Sequence, residues 1–195
     1  MKRGFTFLEV CLGGTLSLLL GLIMLWALIP VLRYSAWGYG RAEVVQASAL
    51  LSSRLSADLS TAPPEGIILP DASDKGLLGI HGITGVTDTG VAVWAKSLIL
   101  YRWDAPSASI SRMEWDQGVV PDHPTVLPLQ QIRNCFAHPN GSLRRLSQGI
   151  VKEFSLSGTN LPLKLHLLIE VQVPGGRPPE RYAHDQQIYL RNGTR

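Results

Sequence analysis

From Val10 to Leu32 the chain carries no charged residue, a run of 23 positions built mostly from Leu, Ile, Val, Trp, Met, Ala and Gly. As a helix this run would be about 35 Å long, enough to cross a hydrocarbon core of about 30 Å. A helix on the surface of a soluble domain keeps one polar face, whereas this run is apolar all round. Membrane insertion is the resulting expectation. Lys2 and Arg3 precede the run. Basic flanks favour the cytoplasmic side, so the chain after the helix is expected outside the cytoplasm. Arg33 and Arg41 on the far side work against that orientation. A removable secretory signal has an apolar core of about 7–15 residues and a small residue three before its cut. This run is too long, and a cut after Ala36 would put Tyr34 where the small residue is needed.

The remainder suits one compact domain. A hydrophobic share of 45% excludes a disordered chain, and two cysteines exclude a disulfide framework. The net charge of +3 is too weak to argue for an anionic partner. No nucleic acid is expected, and Arg144-Arg145 is only a minor basic spot.

Glu9 stands at the edge of the apolar run, after Phe5-Thr6-Phe7-Leu8. A carboxylate facing hydrocarbon costs about 2.5–3.5 kcal/mol at a helix centre and less near the interface. It either reaches the headgroups or has a cationic partner. The segment Met1-Lys2-Arg3-Gly4-Phe5-Thr6-Phe7-Leu8-Glu9-Val10 resembles the leader of type IV prepilins, found in type IV pilins and type II secretion pseudopilins. The resemblance implies a cut by a prepilin peptidase between Gly4 and Phe5, N-methylation of Phe5, and an assembly role for Glu9. The new Phe5 amine of one subunit would then pair with Glu9 of a neighbour, since neither charge is tolerable alone at low dielectric. Removing Lys2 and Arg3 also leaves 16 basic residues against 15 acidic ones.

The helix is expected to continue beyond the membrane. Arg41 to Ser60 contains no proline, and Val44, Ser48, Leu51, Leu55 and Leu59 form one stripe opposite Gln46, Ser53, Ala57 and Ser60. Ala62-Pro63-Pro64-Glu65-Gly66 ends it. Pro30 predicts a kink or unwound turn, and Gly38-Tyr39-Gly40 a second weak point. The organisation read from the chain is a leader at 1–4, a spine helix at 5–60 with its transmembrane part at about 10–32, and an exported β-rich domain at 61–195. In the head, Ser97–Trp103 and Ser109–Trp115 read as a hairpin about the turn Asp104–Ala108. Further strands are expected at Ile67–Leu69, Leu77–Ile80, Ile150–Leu156, Leu163–Val173 and Gln187–Arg191, with a loop at Gly175–Pro179. No repeat is present. The expected class is α+β, pilin-like, with a long N-terminal helix packed on a mainly antiparallel sheet.

Several segments are similar to the minor pseudopilin J family of type II secretion systems. Asp58-Leu59 resembles the end of that family's spine helix. Tyr101 and Arg112 match its hairpin, with Ile110 in place of Leu. Leu146-Ser147-Gln148-Gly149-Ile150-Val151 and Leu161-Pro162-Leu163 resemble two later segments, and the Trp-containing segment usual between them is missing. The resemblance implies a minor pseudopilin in the bacterial inner membrane, single-pass, with its N-terminus cytoplasmic before processing and its head periplasmic. It implies a place at the tip of a short pseudopilus, initiating assembly for protein export. Its partners would be other minor and major pseudopilins through the N-terminal helix, the prepilin peptidase and the inner-membrane assembly platform. The alternatives are a minor pilin of a type IV pilus or DNA-uptake filament, and a membrane-anchored periplasmic enzyme or binding protein with an uncut signal anchor.

Nothing in the sequence points to catalysis, a cofactor or a small-molecule substrate. Asp122-His123 and His184-Asp185 read as surface loop pairs, and no G-x-S-x-G motif is present. His81, His123, His138, His166 and His184 lack metal-ligand spacing, and Asp71-Ala72-Ser73-Asp74 lacks the pattern of a calcium loop. Cys11 lies in the membrane run and Cys135 in the head, so they are not expected to bridge; Cys135 reads as a small buried hydrophobe. Trp94, Trp103 and Trp115 read as sheet core.

Overall fold

The structure, a computed structural model, describes residues 6–69, 76–120, 122–137, 143–158, 162–172 and 178–190. Helix α1 runs without interruption from Phe7 to Leu59, 53 residues and about 80 Å at 1.5 Å per residue. No unwound turn appears at Pro30 or at Gly38–Gly40, contrary to the expectation from sequence. A proline removes one amide donor, and each glycine costs about 1 kcal/mol. In a helix this long, intact turns on both sides carry the chain through. Gly40 moreover gains a neighbour, since a Cβ placed there would lie 3.9 Å from Val171 Cγ1.

The two halves of α1 have different surroundings. Every residue from Thr6 to Ser35 is exposed. Trp26, for example, is 77% accessible and Phe7 86%. Beyond Gly40 the stripe read from the sequence is the stripe that packs: Val44, Ser48, Leu51, Leu55 and Leu59 are all buried. A 3₁₀ turn at Pro64–Gly66 follows. Gly66 is required there, because a Cβ would sit 2.2 Å from the His81 carbonyl oxygen.

The head is built from antiparallel sheets. Strands β1 (Ile67–Ile68), β2 (Leu77–Ile80), β5 (Leu98–Asp104), β6 (Ser109–Trp115) and β7 (Arg144–Ser147) form one sheet in the order β1-β2-β5-β6-β7. Strands β8 (Val151–Ser157), β9 (Leu163–Val171) and β10 (Glu180–Ile188) form a second, ordered β10-β9-β8. A separate ribbon, β3 (Ile83–Val86) with β4 (Ala92–Trp94), leaves the body between β2 and β5. Helix α2 (Leu129–Ala137) lies between β6 and β7 in the chain. The α+β class with a long apolar N-terminal helix is therefore present.

Strand alternation divides the core into two layers. Leu78, Ile80, Tyr101 and Ile110 from the larger sheet, and Phe154, Leu165, Leu167 and Ile169 from the smaller, join α1 in one apolar cluster. Leu77, Leu98, Leu100 and Met113 point the other way and meet Ile132, Cys135 and Phe136 of α2. The sheets join at Ala108, whose φ of 47° turns the chain and whose carbonyl accepts from the Ile150 and Val151 amides at 3.1 and 3.0 Å. Trp103 Nε1 donates across the same seam to the Val151 carbonyl at 3.1 Å.

The hairpin β5–β6 lies where the sequence placed it, but the last strand does not. β10 starts at Glu180 and ends at Ile188, whereas alternation suggested Gln187–Arg191. The sequence shows no apolar alternation there because the positions β10 turns towards α1 include His184 and Gln186, which meet Ser52 by hydrogen bonds. His184 and Asp185 consequently sit in a strand and not in a loop. Strands β3, β4 and β7 and helix α2 were not anticipated. Asp71–Asp74, His138, Leu161 and Gly175–Arg177, together with Arg191, lie outside the described residues.

Candidate functional site

The first candidate site is the start of α1. Gly4 and Phe5 lie outside the described residues, and Thr6 is the N-cap. The Thr6 hydroxyl oxygen accepts from the Glu9 amide at 3.4 Å. Glu9 Oε2 in return accepts from the Thr6 amide at 2.9 Å and from its hydroxyl at 3.0 Å. This is a capping box, which satisfies amide groups that a helix start otherwise leaves open. A carboxylate there is also favoured by the positive end of the helix dipole. The sequence singled out Glu9 for its charge. Its local partner was legible too, since Thr6-x-x-Glu9 is the spacing of that motif.

The second site lies where the spine meets the head. Tyr101 and Arg112 are cross-strand partners on β5 and β6. Tyr101 Oη donates to Asp58 Oδ2 at 2.6 Å, and Arg112 Nε donates to the same oxygen at 2.7 Å. Arg112 Nη1 reaches Glu114 Oε1 at 2.8 Å, and Arg54 Nε lies 3.8 Å from Asp58 Oδ2. Asp58, Tyr101 and Arg112 are all buried. Burial, then the hydrogen bond to Asp58 and its negative charge, push the Tyr101 phenol far above its ordinary range. Burial works against the Arg112 charge, but the bonds to Asp58 and Glu114 outweigh it and raise the guanidinium further. The structure thus joins Asp58, offered by one resemblance, to Tyr101 and Arg112, offered together by another.

Beside this cluster α1 makes a second polar contact. His184 Nε2 donates to Ser52 Oγ at 3.2 Å, and Ser52 in turn donates to Gln186 Oε1. A serine beside a histidine invites comparison with a nucleophile and its base. Here the hydroxyl proton goes to an amide oxygen, and the serine is buried on the side of α1 that packs against the head. Asp185, the neighbour of His184, points to the opposite face and meets His166 Nδ1 at 2.6 Å.

His81 is wholly buried at the end of β2. Its Nε2 donates to the Ala95 carbonyl at 2.8 Å, and its Nδ1 accepts from the Thr125 amide at 2.9 Å. These partners require the neutral Nε2–H tautomer. The ring also lies 5.0 Å from Trp94. Cys135 is buried in the α2 layer, and burial pushes its thiol up.

Among the described residues no group of three or more His, Cys, Asp or Glu is arranged to hold a metal ion. An apolar void of about 10 Å³ lies between α1 and the sheets, lined by Leu51, Leu55, Tyr101, Ile110, Phe154 and Leu167. It is the size of one water, far below a ligand pocket. Among the described residues one helix, Phe7–Leu59, is long and apolar enough to cross a membrane. Comparison of the chain with protein-family models, with curated proteins and with solved structures finds no match in any of the three.

Proposed function

We propose that the chain is a non-catalytic, single-pass subunit of a pilin-like assembly, a minor pseudopilin of a type II secretion pseudopilus held in the inner membrane with its head outside the cytoplasm. One observation carries this reading. The prepilin-like leader Met1–Gly4 is followed directly by a capped helix whose first 29 residues, Phe7 to Ser35, are exposed throughout. An apolar rod of that length needs lipid or other helices around it. A cut between Gly4 and Phe5 leaves the Thr6–Glu9 capping box whole and adds a charged amine one residue before it. Glu9 then has an occupant in its own chain, Thr6, which a neighbour's Phe5 amine displaces on assembly.

In this reading the subunit sits near the filament tip with other minor subunits and helps to start assembly, while a cytoplasmic ATPase does the work. A minor pilin of a type IV pilus or DNA-uptake filament shares all of these features. Neighbouring genes separate the two, secretion genes for one and pilus or competence genes for the other.

Mass spectrometry of the N-terminus of the membrane-extracted protein tests the reading. A chain starting at N-methylated Phe5 is expected. A mature chain still carrying Met1–Gly4 overturns it and favours an uncut signal anchor bearing a periplasmic enzyme or binding domain.

A further inference from the structure

The edge strands of the two sheets handle their charges differently. On the edges of the smaller sheet, Lys152 lies 3.8 Å from Glu170, Arg181 donates to the same carboxylate at 2.9 Å, and Asp185 meets His166 at 2.6 Å. β7 is the last strand of the larger sheet, and among the described residues its outer edge has no strand beside it. It carries Arg144 and Arg145, both exposed. Among the described residues neither guanidinium has a hydrogen-bond or ion-pair partner. Leu143, 47% accessible, precedes them.

Register puts the two arginines on opposite faces. Arg144 stands opposite Arg112, in one row with Tyr101 on the face that meets α1. Arg145 stands opposite Ser111, on the other face. The carboxylates of Asp58 and Glu114 are already held by Arg112. Like charges directly opposite each other in a sheet are destabilising, so Arg144 costs the fold something and receives no counter-charge from it. A single charge is enough to keep an open edge from pairing at random. Two in succession, one on each face, suit a strand that brings its own carboxylates.

We propose that the outer edge of β7 receives an extended acidic segment of another protein chain, added as a further strand whose carboxylates pair with Arg144 and Arg145. Backbone hydrogen bonds along the edge hold the segment, and the arginines select it. Successive side chains of a strand point to opposite faces, so the match is two adjacent acidic residues in a stretch of good strand formers. β7 has only 4 residues. The contact is therefore weak alone and counts where other contacts already hold the two chains together. The inference rests on the sheet edge and its charges, and holds whether or not the chain belongs to a pilus-like assembly.

The test uses the full-length chain in a non-ionic detergent, with a fluorescent peptide as probe: two central glutamates between stretches of alternating Thr and Val. Fluorescence anisotropy should show saturable binding that weakens as salt is raised. A peptide with lysines in place of the glutamates should not bind. N-methylation of the central amides keeps both charges and removes the donors an added strand needs, so it should weaken binding by about tenfold. The double variant Arg144→Glu, Arg145→Glu should lose the glutamate peptide by a similar factor and gain the lysine one. Should it fail to fold, Arg144→Gln with Arg145→Gln is read for loss of the glutamate peptide alone. Absence of saturable binding to the parent overturns the inference, and so does binding that the arginine substitutions leave unchanged. Binding that N-methylation leaves unchanged overturns it as well, since attraction between charges would then be the whole effect.

Discussion

Tyr101 and Arg112 stand directly opposite each other on neighbouring strands and reach the same oxygen, Asp58 Oδ2, at 2.6 and 2.7 Å. A cation and a phenol on one carboxylate oxygen leave that carboxylate well satisfied. They also make its removal expensive, because the Arg112 side chain is only 8% exposed. Asp58→Ala should therefore destabilise the head by about 3–5 kcal/mol, the usual cost of stranding one partner of a buried ion pair. Denaturant unfolding of the full chain in detergent measures it. A loss below about 1 kcal/mol would show that water reaches Arg112 freely.

Tyr101 gives the head an alkaline limit. Its folded phenol is raised above the ordinary value of 10.0. Below that pH the phenol is protonated in folded and unfolded chains alike, and its contribution is fully present. Above it the unfolded chain loses the proton first, so stability falls by about 1.4 kcal/mol per pH unit from this group. Melting curves from pH 9 upward should show Tyr101→Phe falling less steeply than the parent. Parallel slopes would contradict the buried phenol.

Two substitutions separate the roles of Glu9. Glu9→Gln keeps a carbonyl oxygen for the Thr6 amide but removes the charge; under the proposed pilin-like function the helix start should survive and assembly with neighbouring subunits should be lost. Thr6→Ala keeps the charge and removes the cap, at a cost of about 1 kcal/mol to the helix end, and assembly persists. Co-purification of neighbouring subunits reads assembly in both. Normal assembly by Glu9→Gln would make the capping box the whole role of Glu9.

His81→Leu should take the hydrogen-bond partner from two groups of half-buried residues, the Ala95 carbonyl and the Thr125 amide. A fully buried unsatisfied group costs about 1–3 kcal/mol, and these half-buried ones should cost about 1 kcal/mol each. Amide exchange at Thr125 should accelerate well beyond that of the β5–β6 hairpin. Equal protection in the variant would mean that the segment before α2 is held by something other than His81.

Where one short stretch of chain contains the whole signal, the sequence was readable. The 23-residue uncharged run, the Val44–Leu59 stripe and the β5–β6 hairpin each follow from local periodicity and turn residues. Helix α2 carried such a signal as well, since Ile132, Cys135 and Phe136 have helical spacing after Pro128. It is short, and it passes for loop beside the prolines. β10 carried no apolar signal, because its face towards α1 is held partly by the polar His184 and Gln186 on Ser52.

The sequence by itself determined an apolar rod with a charged start, because hydrophobic length and flanking charge are properties of consecutive residues. Only the tertiary structure decided that Asp58 meets residues 43 and 54 positions away. It likewise decided that His81 is a neutral bridge between segments and that Ser52 serves β10. These contacts depend on which strands pair and in what register. That outcome reflects the packing of the whole domain at once, so no local window of the chain carries it.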